Sequence, residues 1–303
     1  MVSAIVEGVM QHRALRQPAG SLSSSTGQIL HATAREHYWS GVGALSIKSF
    51  VGGHAFYEVG DARYMVDEQR YLVLNQGQTY TITVESETPV TSFCIFFAPG
   101  LVEDVHHSLT RPDNTLLTMP TPSTVRSINF FEQTYRHDQL VSPLLHGLRT
   151  TCTQNELDAS WLDEQLHATM QQLLQVHHQI YQIVEALPAA RLATREELYR
   201  RVQCAKDYAD ALFDTSVTLD ELAQVAGLSP NHLLRTFRQL CGQTPHQYII
   251  MRRLERAQNL LQHTDQSVTD ICYAVGFHSL GSFSRLFRDR IGVSPDTFRR
   301  QTR

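Results

Sequence analysis

The side chains best placed to do chemistry lie in two short stretches near the end of the 303-residue chain, and what they offer is hydrogen bonding rather than bond making. In the first, Ser229-Pro230-Asn231-His232 opens a segment that runs on through Arg235 and Arg238. In the second, Ser279-Leu280-Gly281-Ser282 opens one that runs on through Arg285 and Arg288. Read as helices, both turn an apolar stripe inward (Leu233, Phe237 and Leu240; Phe283 and Phe287) and leave the polar side chains near the helix start facing out. A guanidinium pairs with O6 and N7 of guanine and an amide pairs with adenine, so such helices suit a DNA major groove. Arg235 and Arg285 are the expected base readers. Asn231 and His232 add adenine or phosphate contacts, the helix starts at Ser229 and Ser279 suit phosphate oxygens, and Arg238, Leu280, Ser282 and Arg288 complete the expected DNA-facing set.

These helices need neighbours to hold them, and the same pattern supplies them twice. Leu219, Leu222, Ala223, Ala226 and Gly227 match Val268, Ile271, Cys272, Val275 and Gly276 at an offset of 49. After the turn, Ser229, Arg235, Phe237, Gly242, Pro245 and Tyr248 match Ser279, Arg285, Phe287, Gly292, Pro295 and Phe298 at an offset of 50. Gly227 closes the first helix in a left-handed cap, Ser229 caps the second, and Pro230 takes its first position, where a missing N–H costs nothing. A helix over Gln247–Leu261, carrying Arg252, Arg253 and Arg256, joins the copies.

The doubled unit, ending GFHSLGSFSRLFRDRIGVSPDTFRR, resembles the AraC/XylS family of transcription regulators over about the last 100 residues. The resemblance implies a DNA-binding regulator, more often an activator, with double-stranded DNA and RNA polymerase as partners. Leu280 and Gly281 stand where many family members carry longer polar residues. The second unit is therefore expected to grip backbone, or to touch a thymine methyl through Leu280, more than to read bases.

Charge is distributed to match. From Thr218 to Arg303 there are eleven arginines and no lysine against seven acidic residues, a net +4; with −4 for the whole chain, the first 217 residues carry −8. Only the back of the chain is suited to meet phosphate. The five cysteines are scattered without a C-x-x-C pair, as in a reduced cytoplasmic protein, nucleoid-associated through its DNA, with neither disulfides nor a cysteine metal site. No apolar run approaches the ~20 residues that span a membrane, and the start, MVSAIVEGVM, lacks a basic leader region.

The front of the chain is expected to sense rather than catalyse. Residues 1–35 read as poorly structured, from Gln17-Pro18-Ala19-Gly20 and the serine run that follows. Strands are predicted at Ala44–Phe50, His54–Val59, Arg63–Val66, Tyr71–Leu74, Tyr80–Val84 and Thr91–Phe97, making a small antiparallel barrel or double-sheet roll. This resembles the cupin-like sensor domain of many AraC-type regulators, which implies an unidentified small-molecule effector. The aromatic residues Tyr57, Tyr64 and Tyr80 are candidates for lining its site, with core or surface roles equally open.

Cupin enzymes hold a metal through an H-x-H pair, a glutamate and a later histidine, whereas here His54 and Glu58 stand alone. No cofactor, metal or catalytic residue is expected. The alternative is a cupin-like metal-dependent enzyme whose helical tail tethers it to DNA or a partner. The pairs His106-His107 and His177-His178 read as surface histidines, since adjacent residues point to different faces.

Residues from about 123 to 184 read as helical, with a stripe from Leu162 to Leu187 at three- and four-residue spacing. Two uses of it stay open, packing on the barrel or pairing with its twin; the resemblance implies a homodimer. Pro188 ends that helix, and Thr194 with Glu197 reads as a capping box for the next. The expected fold class is α+β: a cupin-like antiparallel β-barrel with following helices, plus an all-α domain of two helix-turn-helix units. The expected limits are 1–35 poorly structured, 36–120 barrel, 121–190 helical dimerisation and linker region, and 191–303 DNA-binding domain.

Overall fold

In the first half of the chain, polar and apolar residues alternate over long stretches, and there the backbone is extended. The computed structural model describes residues 20–60, 62–110, 128–152, 158–189 and 191–302. They fall into two units, Met1–Arg200 and Arg201–Arg303.

The first unit is built on eight strands: β1 (Gly20–Ser23), β2 (Gly27–Val42), β3 (Ser46–Val51), β4 (Ala55–Val59), β5 (Ala62–Val66), β6 (Arg70–Leu74), β7 (Thr79–Phe97) and β8 (Thr134–Arg136). Their order is β1-β2-β7-β3-β6-β8, with β4 pairing both β7 and β5. Every pairing is antiparallel. β7 organises the sheet. Its first half pairs with β4 through Thr81–Thr83 and its second with β3 through Thr91–Phe96, while β2 follows it along nearly its whole length. Tyr80, Ile82, Val84 and Val90 of β7 point into a core with Phe50, Ala55, Tyr57, Tyr64, Val66, Leu72 and Leu74. Tyr57, Tyr64 and Tyr80 are therefore all core residues facing the sheet interior.

The structure departs from the sequence expectations in three places. Residues 20–23 and 27–35 are strand, joined by a turn at 24–26, rather than poorly structured; residues 1–19 lie outside the described residues. β2 escapes a hydrophobic-pattern reading because, of its sixteen positions, only Ile29 is fully buried. Its stability comes from the ladder to β7, with a register shift between Ala34 and Glu36. The hairpin before it is pinned by Asp163, which accepts from Ser25 Oγ at 2.9 Å, Thr26 N at 3.1 Å and Thr26 Oγ1 at 2.6 Å. Those bonds, Thr26 foremost, hold its carboxyl well below the usual carboxylate range.

Second, the segments expected as separate strands at 80–84 and 91–97 are one 19-residue strand. Third, Leu101–Thr110 is a helix inside the expected barrel range, and Thr134–Arg136 is a strand inside the expected helical range. The expected boundary at 120 lies outside the described residues.

The helices of this unit are α1 (Leu101–Thr110), α2 (Val141–Cys152) and α3 (Ala159–Glu185). The α3 stripe of Leu162, Leu166, Met170, Leu173, Leu174, His177, Ile180 and Val184 is buried within the unit, with α1 and α2 packed against α3. This is the packing use of the stripe. Residues so covered do not also offer a face to a twin. His177, expected at the surface, sits among Phe130, Phe131 and Tyr181, and burial foremost lowers its pKa to about 4.

The helix α4 (Leu192–Ala211) starts before Thr194, so the expected capping box does not open it. The division between units falls within this helix, at residues 200 and 201, rather than at 190. Beyond it follow α5 (Leu219–Val225), α6 (Pro230–Cys241), α7 (Pro245–His263), α8 (Val268–Ala274), α9 (Leu280–Ile291) and α10 (Pro295–Thr302). No helix among the described residues is long and apolar enough to cross a membrane.

Candidate nucleic-acid interface

Both candidate reading helices are fixed at each end by the residues that the sequence singles out. At the start of α6, Ser229 is extended (φ −70°, ψ 151°) and its hydroxyl accepts from His232 N at 3.4 Å, with Pro230 first in the helix. At the start of α9, Ser279 accepts from Ser282 N at the same distance. Gly242 and Gly292 end the two helices with φ of 70° and 92°. The helices before them are capped as well: Thr218 and Glu221 bond reciprocally at α5, and Ser267 accepts from Asp270 N at α8. Thr244 and Gln247 do the same for α7. Each such cap is worth about 0.5–2 kcal/mol.

Inside, Leu233 and Phe237 of α6 and Phe283 and Phe287 of α9 are fully buried. Outside, Asn231, Leu234, Arg235, Arg238, Leu280, Gly281, Ser282, Arg285 and Arg288 are exposed, and His232 is half-buried. The structure thus brings Asn231, His232, Arg235 and Arg238 onto one solvent-facing side of α6. Their counterparts on α9, at the offset of 50, are Gly281, Ser282, Arg285 and Arg288, and Leu280 precedes them in the place of Pro230. The two faces differ in what they hold. Among the described residues Arg235 is exposed and has no ion-pair partner, whereas Arg285 lies 3.9 Å from Asp289 in an exposed pair that is weak by nature.

The repeat reaches further than the helix-turn-helix itself. At an offset of 52, Val202, Ala205 and Ala209 of α4 correspond to Leu254, Ala257 and Leu261 of α7, and all six are fully buried. Each reading helix is therefore the last of a set of three, α4-α5-α6 and α7-α8-α9, with α7 also closing the first set. At the same offset, Arg201 donates from Nη1 to the Gly227 carbonyl at 2.9 Å, and Arg253 donates from Nη1 to the Gly276 carbonyl at 2.7 Å. The turn of each unit is held by an arginine from the helix that opens it.

Two arginines of the joining helix are thereby removed from any role at phosphate. Arg253 also donates to the Phe213 carbonyl at 2.6 Å and the Thr215 carbonyl at 2.7 Å. Arg252 is buried, with Nε 2.7 Å from Asp210 Oδ1 and a further contact to Glu255, and Tyr248 donates to Asp210 Oδ2 at 2.6 Å. Arg299 donates to the Gln266 carbonyl at 2.5 Å. A net charge count treats these side chains as surface, yet they are the mortar of the unit. The offset that marks Arg201 and Arg253 is legible in the sequence, but it lies upstream of the helix-turn-helix pattern.

A helix-turn-helix domain model matches residues 222–301, the stretch that contains both turns and both exposed faces. These residues form a helix-turn-helix domain of the AraC type. The transcriptional activator RhaS of Enterobacter sp. (strain 638) is 42% identical over 87 residues, which is 29% of this chain and 31% of that protein. The probable transcriptional regulator LumQ of Photobacterium leiognathi is 23% identical over 223 residues, 71% of this chain and 85% of its own length. Among solved structures, an AraC-type transcriptional regulator from Chromobacterium violaceum is 30% identical, with a TM-score of 0.33, over 37% of this chain and 96% of that one. The chain thus spans about a third of RhaS.

Proposed function

We propose that this chain is a sequence-specific DNA-binding transcription regulator, an activator whose N-terminal unit responds to a small molecule held in the interior of the sheet. The observation that carries this reading is the pair of exposed helix faces, each opened by a serine cap and carrying arginine, within an AraC-type domain. In the complex, α6 and α9 lie in successive major grooves, roughly 34 Å apart, on one side of the duplex. Arg235 reads a guanine. Asn231 and His232 add adenine or phosphate contacts, and Arg238, Ser282, Arg285 and Arg288 hold the second groove and the backbone. Leu280, 37% exposed, supplies an apolar touch rather than a hydrogen bond. The protein works in the cytoplasm as a homodimer, with RNA polymerase as its partner at a promoter.

The enzyme reading has little to stand on. Phe56 and Glu58 fall on the face of β4 opposite to Ala55 and Tyr57, whose side chains form the core, and His54, just before the strand, sets its ring 5.1 Å from that of Phe56, so the glutamate of the shortened cupin-like motif points away from the interior. Among the described residues no three His, Cys, Asp or Glu side chains are grouped to hold a metal.

Selection of bound duplexes from a random DNA pool by the full-length protein tests this function. The expected result is a motif of two short blocks about one helical turn apart, with doubling of the motif for a dimer. Absence of any enriched motif at moderate salt would set the reading aside.

A further inference from the structure

Lys48 lies in the middle of β3, 2% exposed, and among the described residues no carboxylate forms an ion pair with it. The neighbouring strands place Leu72 and Cys94 opposite it, and its face of β3 is the one that carries Phe50 into the core. Its ammonium stands 3.7 Å from the centre of the Phe96 ring and 5.2 Å from that of Tyr80. Two residues earlier on the same face, Ser46 is fully buried and its hydroxyl has no hydrogen-bond partner among the described residues. The titratable groups around the lysine are the Cys94 thiol and the Tyr57 and Tyr80 phenols. Burial foremost pushes all three upward, so they are neutral at pH 7 and none can balance a cation.

A buried cation with only aromatic faces for company, beside a buried hydroxyl without a partner, lacks one negative charge and one acceptor. Burial lowers the Lys48 pKa to about 8, which still leaves the ammonium mostly protonated at neutral pH. One positive charge matches one negative charge; a doubly charged phosphate would need more donors than these two side chains provide. The remaining lining is aromatic and aliphatic: Phe96, Tyr80, Tyr57 and Leu72. Phe96 and Trp39 are the half-buried members of this neighbourhood, and Trp39 stacks at a tilt on Tyr80 with ring centroids 4.8 Å apart.

We propose that the sheet interior binds a small organic monocarboxylate, its carboxylate on Lys48 Nζ and Ser46 Oγ and its apolar body against Phe96, Tyr80 and Tyr57. This rests on the proposed ligand-responsive regulator and names the chemical class of its ligand. The same interior with a neutral residue in place of Lys48 would favour uncharged ligands.

The chain has two tryptophans, Trp39 and Trp161, so full-length Trp161→Phe protein reports on Trp39 alone. Benzoate and hexanoate are titrated into it at pH 7, each against its own amide, with Trp39 emission as the readout. The expected result is that at least one carboxylate binds and does so about tenfold or more tighter than its amide. Lys48→Met is expected to erase that preference, Lys48→Arg to keep part of it, and Ser46→Ala to weaken it. If neither carboxylate moves the emission, if acid and amide bind alike, or if Lys48→Met binds the acid as its parent does, the proposal is overturned. Duplex selection on the same preparations separates the two readings. Enriched DNA with no carboxylate response removes the ligand class and leaves the regulator, whereas a carboxylate response without enriched DNA removes the regulator and leaves the site.

Discussion

Asp210→Ala will destabilise the C-terminal unit by about 3–5 kcal/mol, because it leaves the guanidinium of Arg252 buried with its main counter-charge gone. Asp210 and Arg252 are almost wholly removed from solvent, with side-chain exposures of 2% and 5%. Asp210 also receives the phenol of Tyr248, so its loss strands two donors at once. Equilibrium unfolding in denaturant, followed by helical circular dichroism, measures the effect. Tyr248→Phe should cost only about 1 kcal/mol, since it removes one hydrogen bond and leaves the ion pair. The double variant Asp210→Ala with Arg252→Met should recover most of the loss, as replacing a whole buried pair by apolar groups is far cheaper than halving it. If Asp210→Ala unfolds at the same denaturant concentration as the parent, the network is not what fastens α4 to α7.

Gly276→Ala has the second large expected effect, and Gly292→Ala is its control. Both glycines have φ in the left-handed region, at 85° and 92°. A methyl group at Gly292 would meet nothing within 4 Å, so only the backbone penalty applies, about 1 kcal/mol. At Gly276 the same methyl would stand 2.4 Å from the Asp214 carbonyl oxygen, against backbone that cannot swing away, while the Gly276 carbonyl is held by Arg253. Strain and overpacking together should cost about 2–5 kcal/mol and displace the turn that aims α9. Thermal unfolding of the two variants side by side measures the gap. Equal shifts would mean that the turn has room which the structure does not show.

Much of the C-terminal unit was legible because its signals are local. A glycine at φ 59° in Gly227, a serine that caps its own helix and a proline in the first turn act over three or four residues, and their repetition at a fixed offset exposes the architecture. The strands β3 to β6 and the two ends of β7 were legible for the same kind of reason, since Tyr80, Ile82 and Val84 alternate with threonines, whereas the continuity of β7 was not. What stayed hidden depends on partners distant in the chain. The strand β2 is a strand because β7 lies beside it, and few of its own side chains announce burial. The inward turn of Arg252 and Arg253 depends on Asp210 and on three backbone carbonyls 23 to 40 residues away. Lys48 reads as a surface residue in any window of sequence, and only the closing of β3 between β6 and β7 buries it. The exposed faces of α6 and α9 followed directly from helical periodicity. Their unequal chemistry followed from residue identity, Arg235 having no ion-pair partner among the described residues and Arg285 standing beside Asp289.

That inequality gives the central claim its sharpest test. Duplex selection is repeated with full-length Arg235→Ala and Arg285→Ala, and base preferences are compared position by position with those of the parent. Arg235→Ala is expected to flatten the preference at one position, a loss of about 1–3 kcal/mol there, and to leave the other positions intact. Arg285→Ala should weaken binding evenly across sequences, as loss of a backbone contact does. Unchanged preferences in Arg235→Ala, or a uniform loss from both variants, would contradict the assignment of α6 as the helix that reads bases.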